Sequence, residues 1–368
     1  MEAEITKKIF HVITTIERGG AENQLLELAR QQVNHGLVVK VIYLKGDPEL
    51  ASAFNESGIS VEHKLSGRNV LIQILLLRQI INEFESIVHA HLPRAELVSA
   101  LARKKARFIF SRHNAEPFYP GAPRFVCILL SRFVAMRAVA CVAISYAVRN
   151  FLIQQRELSL RFPIEVVHYG FTSSRKVQPA RSIKPSGSSI KLITIGRIVK
   201  QKNQEILIRI MKELTLNEAS FHLDIVGEGP LRPQLESLSQ SLGLSKLVTF
   251  HGKVNNPREL LERADIFILS SIYEGFGFVL LEAMDCALPI IAARNSAIPE
   301  VIGNSGLMYE THSQQDLIEK VLFLKDSESR NKFAALSVDR VANFSSKIMY
   351  EKMALIYKRI YQSEKKAR

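Results

Sequence analysis

Residues 8–44, KIFHVITTIERGGAENQLLELARQQVNHGLVVKVIYL, decide the fold. The first nine, KIFHVITTI (8–16), are apolar and β-branched, which predicts a strand. ERGGAEN follows directly. AENQLLELARQQVNHG (21–36) then sets Leu25, Leu28, Ala29 and Val33 at helical spacing, with Gly36 as a natural helix stop. LVVKVIYL (37–44) is again a strand. Strand, glycine loop, helix and strand in that order make a βαβ unit, the building block of a parallel sheet.

The unit recurs. SIVHAH (86–91) precedes a helix, ELVSALARKK (96–105), and RFIFSRHN (107–114) and CVAISYAV (141–148) are two further strand-to-turn units. VLIQILLL (70–77), broken by Gln73 and followed by Arg78, reads as a buried amphipathic helix. Residues 172–189, TSSRKVQPARSIKPSGSS, have no apolar periodicity and read as a linker. The same grammar then restarts. KLITIGRI (191–198), FHLDIVGEGP (221–230), LVTFHGKV (247–254), ADIFILSS (264–271) and LPIIAAR (288–294) are strands. QEILIRIMKEL (204–214) and RPQLESLSQSLG (232–243) are helices between them, and SKIMYEKMALIYKRIYQS (346–363) is a long closing helix. The expected fold class is α/β, with two Rossmann-like doubly wound domains facing across a cleft. Residues 1–171 form the first domain, 190–345 the second, and the 346–368 helix packs back toward the first. Ligands of such sheets sit beyond the carboxyl ends of the strands.

The 368 residues suit two such domains. Three scattered cysteines (Cys127, Cys141, Cys286) argue for a reducing compartment and against a zinc cluster. MEAEITKK lacks a signal-peptide layout and no stretch approaches the length needed to span a bilayer, so a cytoplasmic protein is expected. The net charge of +13 is concentrated: residues 101–150 hold nine Lys/Arg against the single acid Glu116. Such clustering implies an anionic partner, whether phosphates, nucleic acid or a lipid surface.

Five glycine-bearing stretches stand out, three of them with chemistry. GGAE (19–22) opens a helix at a strand end, where Gly19 and Gly20 either let the backbone approach a phosphate or simply make a tight turn. It is not the GxGxxG dinucleotide pattern, which argues against a dehydrogenase. GRIVKQKN (196–203) places Arg197 and Lys202 at a strand-to-helix turn, a site for a diphosphate. VGEGP (226–230) and HGKV (251–254) are glycine turns read as structural. SSIYEGFGFVLLEAM (270–284) sets Glu274 and Glu282 on either side of the Gly275-Phe276-Gly277 turn. Glu282 can accept from a pair of vicinal hydroxyls, as acids take ribose in dinucleotide folds, and Glu274 from hydroxyls of another ring. A ribose–diphosphate–sugar ligand follows, that is, a nucleotide sugar.

With GGAE, GRIVKQKN, VGEGP, FHGKV (250–254) and the E-x7-E spacing of EGFGFVLLE (274–282) in one order, the chain resembles the retaining glycosyltransferases of family 4, which have the GT-B fold. The resemblance implies that Arg197 and Lys202 neutralise the donor diphosphate and that Glu282 holds the ribose. It implies that Glu274 and the backbone of Gly275, Phe276 and Gly277 hold the donor sugar, and that Gly19 and Gly20 face the diphosphate. It places His113, in SRHN, beside the donor sugar, although a lone histidine is more often structural. It further implies same-face transfer in which the leaving phosphate takes the acceptor's proton. No DxD-type metal motif is present, so metal independence and no cofactor are expected. A UDP-sugar is the first expectation for the donor and a GDP-sugar the second.

The acceptor implied is a saccharide or lipid-linked saccharide, as in bacterial surface polysaccharide or lipopolysaccharide synthesis. PRFVCILLSRFVAMRAVA (123–140) mixes Phe125, Ile128, Leu129 and Phe133 with Arg124, Arg132 and Arg137, which suits an interfacial helix on anionic lipid or a core helix with a basic outer face. With ARKKAR (102–107) it gives an expectation of peripheral contact at the inner face of the cytoplasmic membrane. The rivals are an epimerase or glycogen-type phosphorylase on the same fold, and a nucleic-acid-binding protein. The E-x7-E block disfavours the first two, and the lack of interleaved stacking aromatics disfavours the third.

Overall fold

The computed structural model describes residues 8–81, 86–103, 106–173, 189–215 and 221–365, and these fall into two α/β units. Residues 1–172 with 344–368 form the first and residues 173–343 the second. Most of the expected linker (174–188), Lys104 and Lys105 of the basic block, and residues 1–7 lie outside the described residues.

The first unit is a sheet of seven parallel strands: β1 (Lys8–Ile13), β2 (Val38–Tyr43), β3 (Ser60–Glu62), β4 (Ser86–His91), β5 (Arg107–Arg112), β6 (Ala140–Ala143) and β7 (Ile164–Val166). Their order is β3-β2-β1-β4-β5-β6-β7, so the winding reverses between β1 and β4. The inner strands are covered on both faces, which is why they read as apolar runs rather than alternations: Ile9, Phe10, Val12 and Ile13 of β1 are all buried. The helix Ser346–Lys365 belongs to this unit. Met349, Met353, Ile356, Tyr357 and Ile360 recur at helical spacing and join Ile9, Leu28, Ile87, Ile109 and Val142 in one core cluster.

One expectation is corrected here. The helix Val70–Ile80 is not a buried amphipathic helix with its apolar residues inward. Its buried residues are Leu77 and the polar Gln73, which is fully enclosed and donates to the carbonyls of Leu44 and Leu65 at 2.7 and 2.9 Å. Val70, Leu71, Ile72 and Leu75 are exposed, Leu71 at 74%. The buried carbonyls at the ends of neighbouring loops need a donor, and Gln73 supplies it.

The second unit has six parallel strands: β8 (Ile190–Ile195), β9 (Phe221–Val226), β10 (Val248–Gly252), β11 (Ile266–Leu269), β12 (Ile290–Ala293) and β13 (Leu307–Tyr309), in the order β10-β9-β8-β11-β12-β13. Here the reversal lies between β8 and β11. The loops after β8 and β9 touch so closely that only glycine fits between them. A Cβ on Gly227 would stand 2.0 Å from the Gly196 carbonyl oxygen, and one on Gly229 2.2 Å from that of Ile198. The VGEGP turn is therefore structural. Gly227→Ala, at φ +141, is expected to destabilise this unit by about 3 kcal/mol, from overpacking and backbone strain together. A shift in urea midpoint worth under 0.5 kcal/mol would show that the loops part freely.

Candidate functional site

At the reversal in the second unit, two loops are stitched together. The Ile272 amide donates to the Gln201 carbonyl at 2.8 Å, Gln201 Nε2 to the Tyr273 carbonyl at 2.9 Å, and Ser270 Oγ to the Lys202 carbonyl at 2.7 Å. These bonds fix the chain after β8 against the chain after β11. The consequence is a short ion pair: Lys202 Nζ lies 2.5 Å from Glu274 Oε1, both side chains mostly buried, and Ser271 Oγ donates to the same oxygen at 2.7 Å. The cation and the first acid of the E-x7-E spacing are thus partners across 72 residues of chain. Arg197 is exposed, and its guanidinium has no hydrogen-bond or ion-pair partner among the described residues.

Past Glu274 the chain turns. Gly277 sits at φ +82, a left-handed conformation that glycine alone adopts without strain, and Phe276 is buried beneath the turn. The turn delivers the helix Val279–Asp285, whose far end is tied down by Asp285. That carboxylate accepts from Arg258 Nη1 at 2.7 Å and from Ser173 Oγ. Glu282 lies in the first turn of this helix. It is half-buried, has no hydrogen-bond or ion-pair partner among the described residues, and burial pushes its carboxyl up to about 7. Burial of an acid without a donor is costly.

In the first unit, Gly19 caps the helix Gly20–Asn34 in an extended conformation. A Cβ on Gly20 would meet no atom within 4 Å, so packing inside the chain does not demand this glycine. Glu22 of the same motif accepts from Thr15 Oγ1 at 2.9 Å. His113 follows β5. It is 9% exposed, with Nδ1 2.7 Å from the Tyr169 hydroxyl and Nε2 3.1 Å from His91 Nδ1. Burial lowers its pKa to about 3, so the ring is neutral at pH 7.

The structure therefore gathers Arg197, Lys202, Glu274, Gly275, Phe276, Gly277 and Glu282 beyond the strand ends of the second sheet. Gly19, Gly20 and His113 lie beyond the strand ends of the first. Reading the sequence missed the residues that hold these in place. Ser270 and Ser271 stand just before the YEGFG turn, and Asn295 Nδ2 donates to the Ser271 carbonyl at 2.8 Å. Gln24 clasps Gly170, donating to its carbonyl at 2.8 Å and accepting from its amide at 2.9 Å, which anchors the residue after Tyr169. The only signal was position: each follows or faces a strand end.

Comparison with known proteins agrees with this layout. Residues 18–175 match the family described as Glycosyltransferase Family 4, and residues 178–336 match the family described as Glycosyl transferases group 1. The chain is 28% identical over 293 residues to the lipopolysaccharide core biosynthesis glycosyltransferase LpsD of Rhizobium meliloti, covering 78% of each chain. It is 25% identical over 321 residues to the phosphatidylinositol N-acetylglucosaminyltransferase GPI3 subunit of Saccharomyces cerevisiae, covering 82% of this chain and 71% of that one. In fold it resembles HepE of Anabaena, solved in complex with UDP and glucose, with a TM-score of 0.79 at 20% identity over 96% of this chain and all of that one. The lipopolysaccharide outer core galactosyltransferase WaaB, in its apo form, gives a TM-score of 0.72 at 17% identity over 95% of this chain and 99% of that one. Two parallel α/β units, matched over residues 18–175 and 178–336 by the two glycosyltransferase families, make this chain an enzyme: it belongs to the family 4 glycosyltransferases of the GT-B fold.

Proposed function

We propose that the enzyme moves a sugar from a nucleotide-sugar donor, a UDP-sugar first and a GDP-sugar second, to a hydroxyl of a saccharide or lipid-linked saccharide, with retention of configuration. The carrying observation is Glu282, desolvated and without a hydrogen-bond or ion-pair partner among the described residues, on an anchored helix that follows the turn after Glu274. Its carboxylate accepts from the ribose hydroxyls. Lys202 and Arg197 meet the diphosphate, and Lys202 exchanges Glu274 for phosphate oxygens as the donor arrives. Glu274, released but still held by Ser271, takes hydroxyls of the donor sugar. The anomeric C–O bond to the diphosphate breaks, the acceptor oxygen bonds on the same face, and its proton leaves on the departing phosphate oxygen. The protein's part is electrostatic, fixed cations where negative charge develops. Those cations carry the leaving-group charge without a divalent ion, so EDTA is expected to leave turnover unchanged. That HepE was solved with UDP and glucose supports ranking UDP first.

The test is a panel of UDP-glucose, UDP-N-acetylglucosamine, UDP-galactose and GDP-mannose with glycerol as surrogate acceptor. Release of one nucleoside diphosphate, with an α-donor yielding an α-glycoside by NMR, is the expected result. A β-product would contradict retention.

The acceptor side has its own observation. On the helix Arg124–Arg137, Phe125, Leu129 and Met136 are exposed beside exposed Arg124, Arg132 and Arg137, and Leu71, Ile72 and Leu75 are exposed on the helix Val70–Ile80. No helix among the described residues is long and apolar enough to cross a membrane. Apolar side chains framed by arginines suit the surface of an anionic bilayer. The enzyme is thus proposed to work at the inner face of the cytoplasmic membrane in surface polysaccharide or lipopolysaccharide synthesis. Sedimentation with phosphatidylglycerol vesicles should be strong in low salt and weaken as salt rises. Phe125→Ser with Leu129→Ser should cut it by about tenfold, the scale of two buried apolar side chains partly lost. Equal binding to neutral vesicles would contradict it.

A further inference from the structure

Four histidines of the first unit form one buried chain. His11 and His89 lie opposite each other in the β1–β4 register, His91 ends β4, and His113 follows β5. Gln32 Oε1 faces His11 Nε2 at 2.8 Å, His11 Nδ1 faces His91 Nε2 at 3.0 Å, and His91 Nδ1 faces His113 Nε2 at 3.1 Å. The far end is His113 Nδ1 against the Tyr169 hydroxyl at 2.7 Å. On the other side, Gln32 Nε2 donates to the Tyr357 hydroxyl at 3.3 Å. That hydroxyl meets His89 Nδ1 at 2.9 Å, and His89 Nε2 meets Ser111 Oγ at 2.7 Å.

The proton positions follow from the orientation of the Gln32 amide, which the hydrogen-bond network assigns with its oxygen to His11 and its nitrogen to Tyr357. A carboxamide oxygen only accepts, so in this orientation His11 carries its proton on Nε2. A neutral imidazole has one proton, so His11 Nδ1 accepts and His91 Nε2 donates to it. The same step makes His113 Nε2 the donor to His91 and leaves His113 Nδ1 to accept from Tyr169. On the other branch, Tyr357 donates to His89 Nδ1, and His89 Nε2 donates to Ser111. Every ring is satisfied, all four as Nε2–H tautomers. One ring out of step would set two N–H groups or two lone pairs face to face, a buried mismatch of the costly kind. Burial favours this neutral state throughout: it lowers the pKa of His11 to about 4 and those of His89 and His91 well below their ordinary value. The cavity bordering His89, His91, Ser111, His113 and Tyr169, about 30 Å3, holds no more than a water or two and leaves the chain intact.

We propose that Gln32 is a positioning residue for the transfer reaction: through His11 and His91 it fixes the tautomer of His113, so that Nδ1, the nitrogen that faces Tyr169, is held as a hydrogen-bond acceptor. Its present donor is Tyr169. A donor-sugar hydroxyl that displaces Tyr169 meets an acceptor, and a ligand offering only an oxygen lone pair there is rejected. The link to the sugar rests on the reading of His113 given above. The tautomer itself does not.

The experiment is long-range 1H–15N NMR of the imidazoles at pH 7 in the full chain, for wild type, Gln32→Met and Gln32→Glu. Expected are four neutral Nε2–H rings in the wild type. Methionine, whose thioether is only a weak acceptor, should let His113 populate both tautomers and lower kcat/KM for the donor by about tenfold, the scale of losing a group that orients a ligand-holding histidine. Glutamate still accepts from His11 and should keep His113 in the Nε2–H form. An Nδ1–H tautomer or an imidazolium at His11, His91 or His113 in the wild type overturns the proposal, as do His113 signals that Gln32→Met leaves unmoved. Stoichiometric zinc in the purified protein, with ring signals that move on adding EDTA, would overturn it too, because His11, His89 and His91 have ligand atoms within 4.8 Å of one another. Nε2–H tautomers without any nucleotide-sugar binding would uphold the chain and remove the donor reading alone.

Discussion

Replacing Arg112 by methionine is expected to destabilise the first unit by about 3–5 kcal/mol, the scale for removing one partner of a buried ion pair. The guanidinium at the end of β5 is almost wholly enclosed. Its Nε donates to Glu96 Oε2 and its Nη1 to Glu157 Oε2, both at 2.9 Å, and its Nη2 to Ser131 Oγ at 3.0 Å. Glu157 passes the link on, accepting from the Phe118 amide at 2.8 Å. Methionine fills the volume but strands two carboxylates away from water. Glu96 already shows the strain: burial pushes its carboxyl up to about 7 even with Arg112 drawing it down. An acid whose folded pKa is raised stabilises the fold below its unfolded pKa and loses that contribution as pH rises through the folded value. The Arg112→Met loss should therefore be larger at pH 8 than at pH 5, where the Glu96 carboxyl takes up its proton. Urea unfolding at both values checks it. Pairing the change with Glu96→Leu should recover part of the loss, and a loss equal at both pH values would sink the explanation.

Glu282 should trade stability for binding. Its carboxyl titrates near 7 rather than near the ordinary 4.5, so the ligand-free enzyme loses stability as pH rises across that interval. Glu282→Gln, which keeps the shape and removes the charge, should raise ligand-free stability above pH 7 by about 1–3 kcal/mol and flatten the pH dependence. The same change should weaken nucleotide binding by about 10- to 100-fold, because hydrogen bonds from ribose to a charged acceptor are worth about 1.5–3 kcal/mol each. A glutamine variant less stable than wild type at pH 8 would place a hidden cation beside Glu282.

The βαβ grammar was legible because buried parallel strands and their helices carry long apolar patterns. The helix Gln204–Leu214 begins and ends where its periodicity does. Short elements carried too little pattern to be seen: β3, β7 and β13 have three residues each, and the helix Ile298–Ile302 five. The helix Val70–Ile80 misled because hydrophobicity alone does not say which side faces the core: Gln73 is buried with Leu77 while Val70, Leu71, Ile72 and Leu75 face outward. At the site, the acids and cations could be named from turn chemistry, but their pairing could not. Lys202 and Glu274 meet only because the reversal in strand order brings β8 beside β11. The histidine chain was invisible for the same reason: His11, the HAH of β4 and His113 are far apart in sequence and adjacent only in register.

The most direct measurement is a thermal-shift titration of UDP, GDP, ADP and their sugar conjugates on wild type and Glu282→Ala. A ligand bound only by the native state adds about 2.7 kcal/mol of stability at a hundredfold excess over Kd. The account expects one nucleotide, UDP first, to raise the wild-type melting temperature and to leave the alanine variant unmoved. A shift of equal size in both proteins, or no shift with any nucleotide, would contradict it.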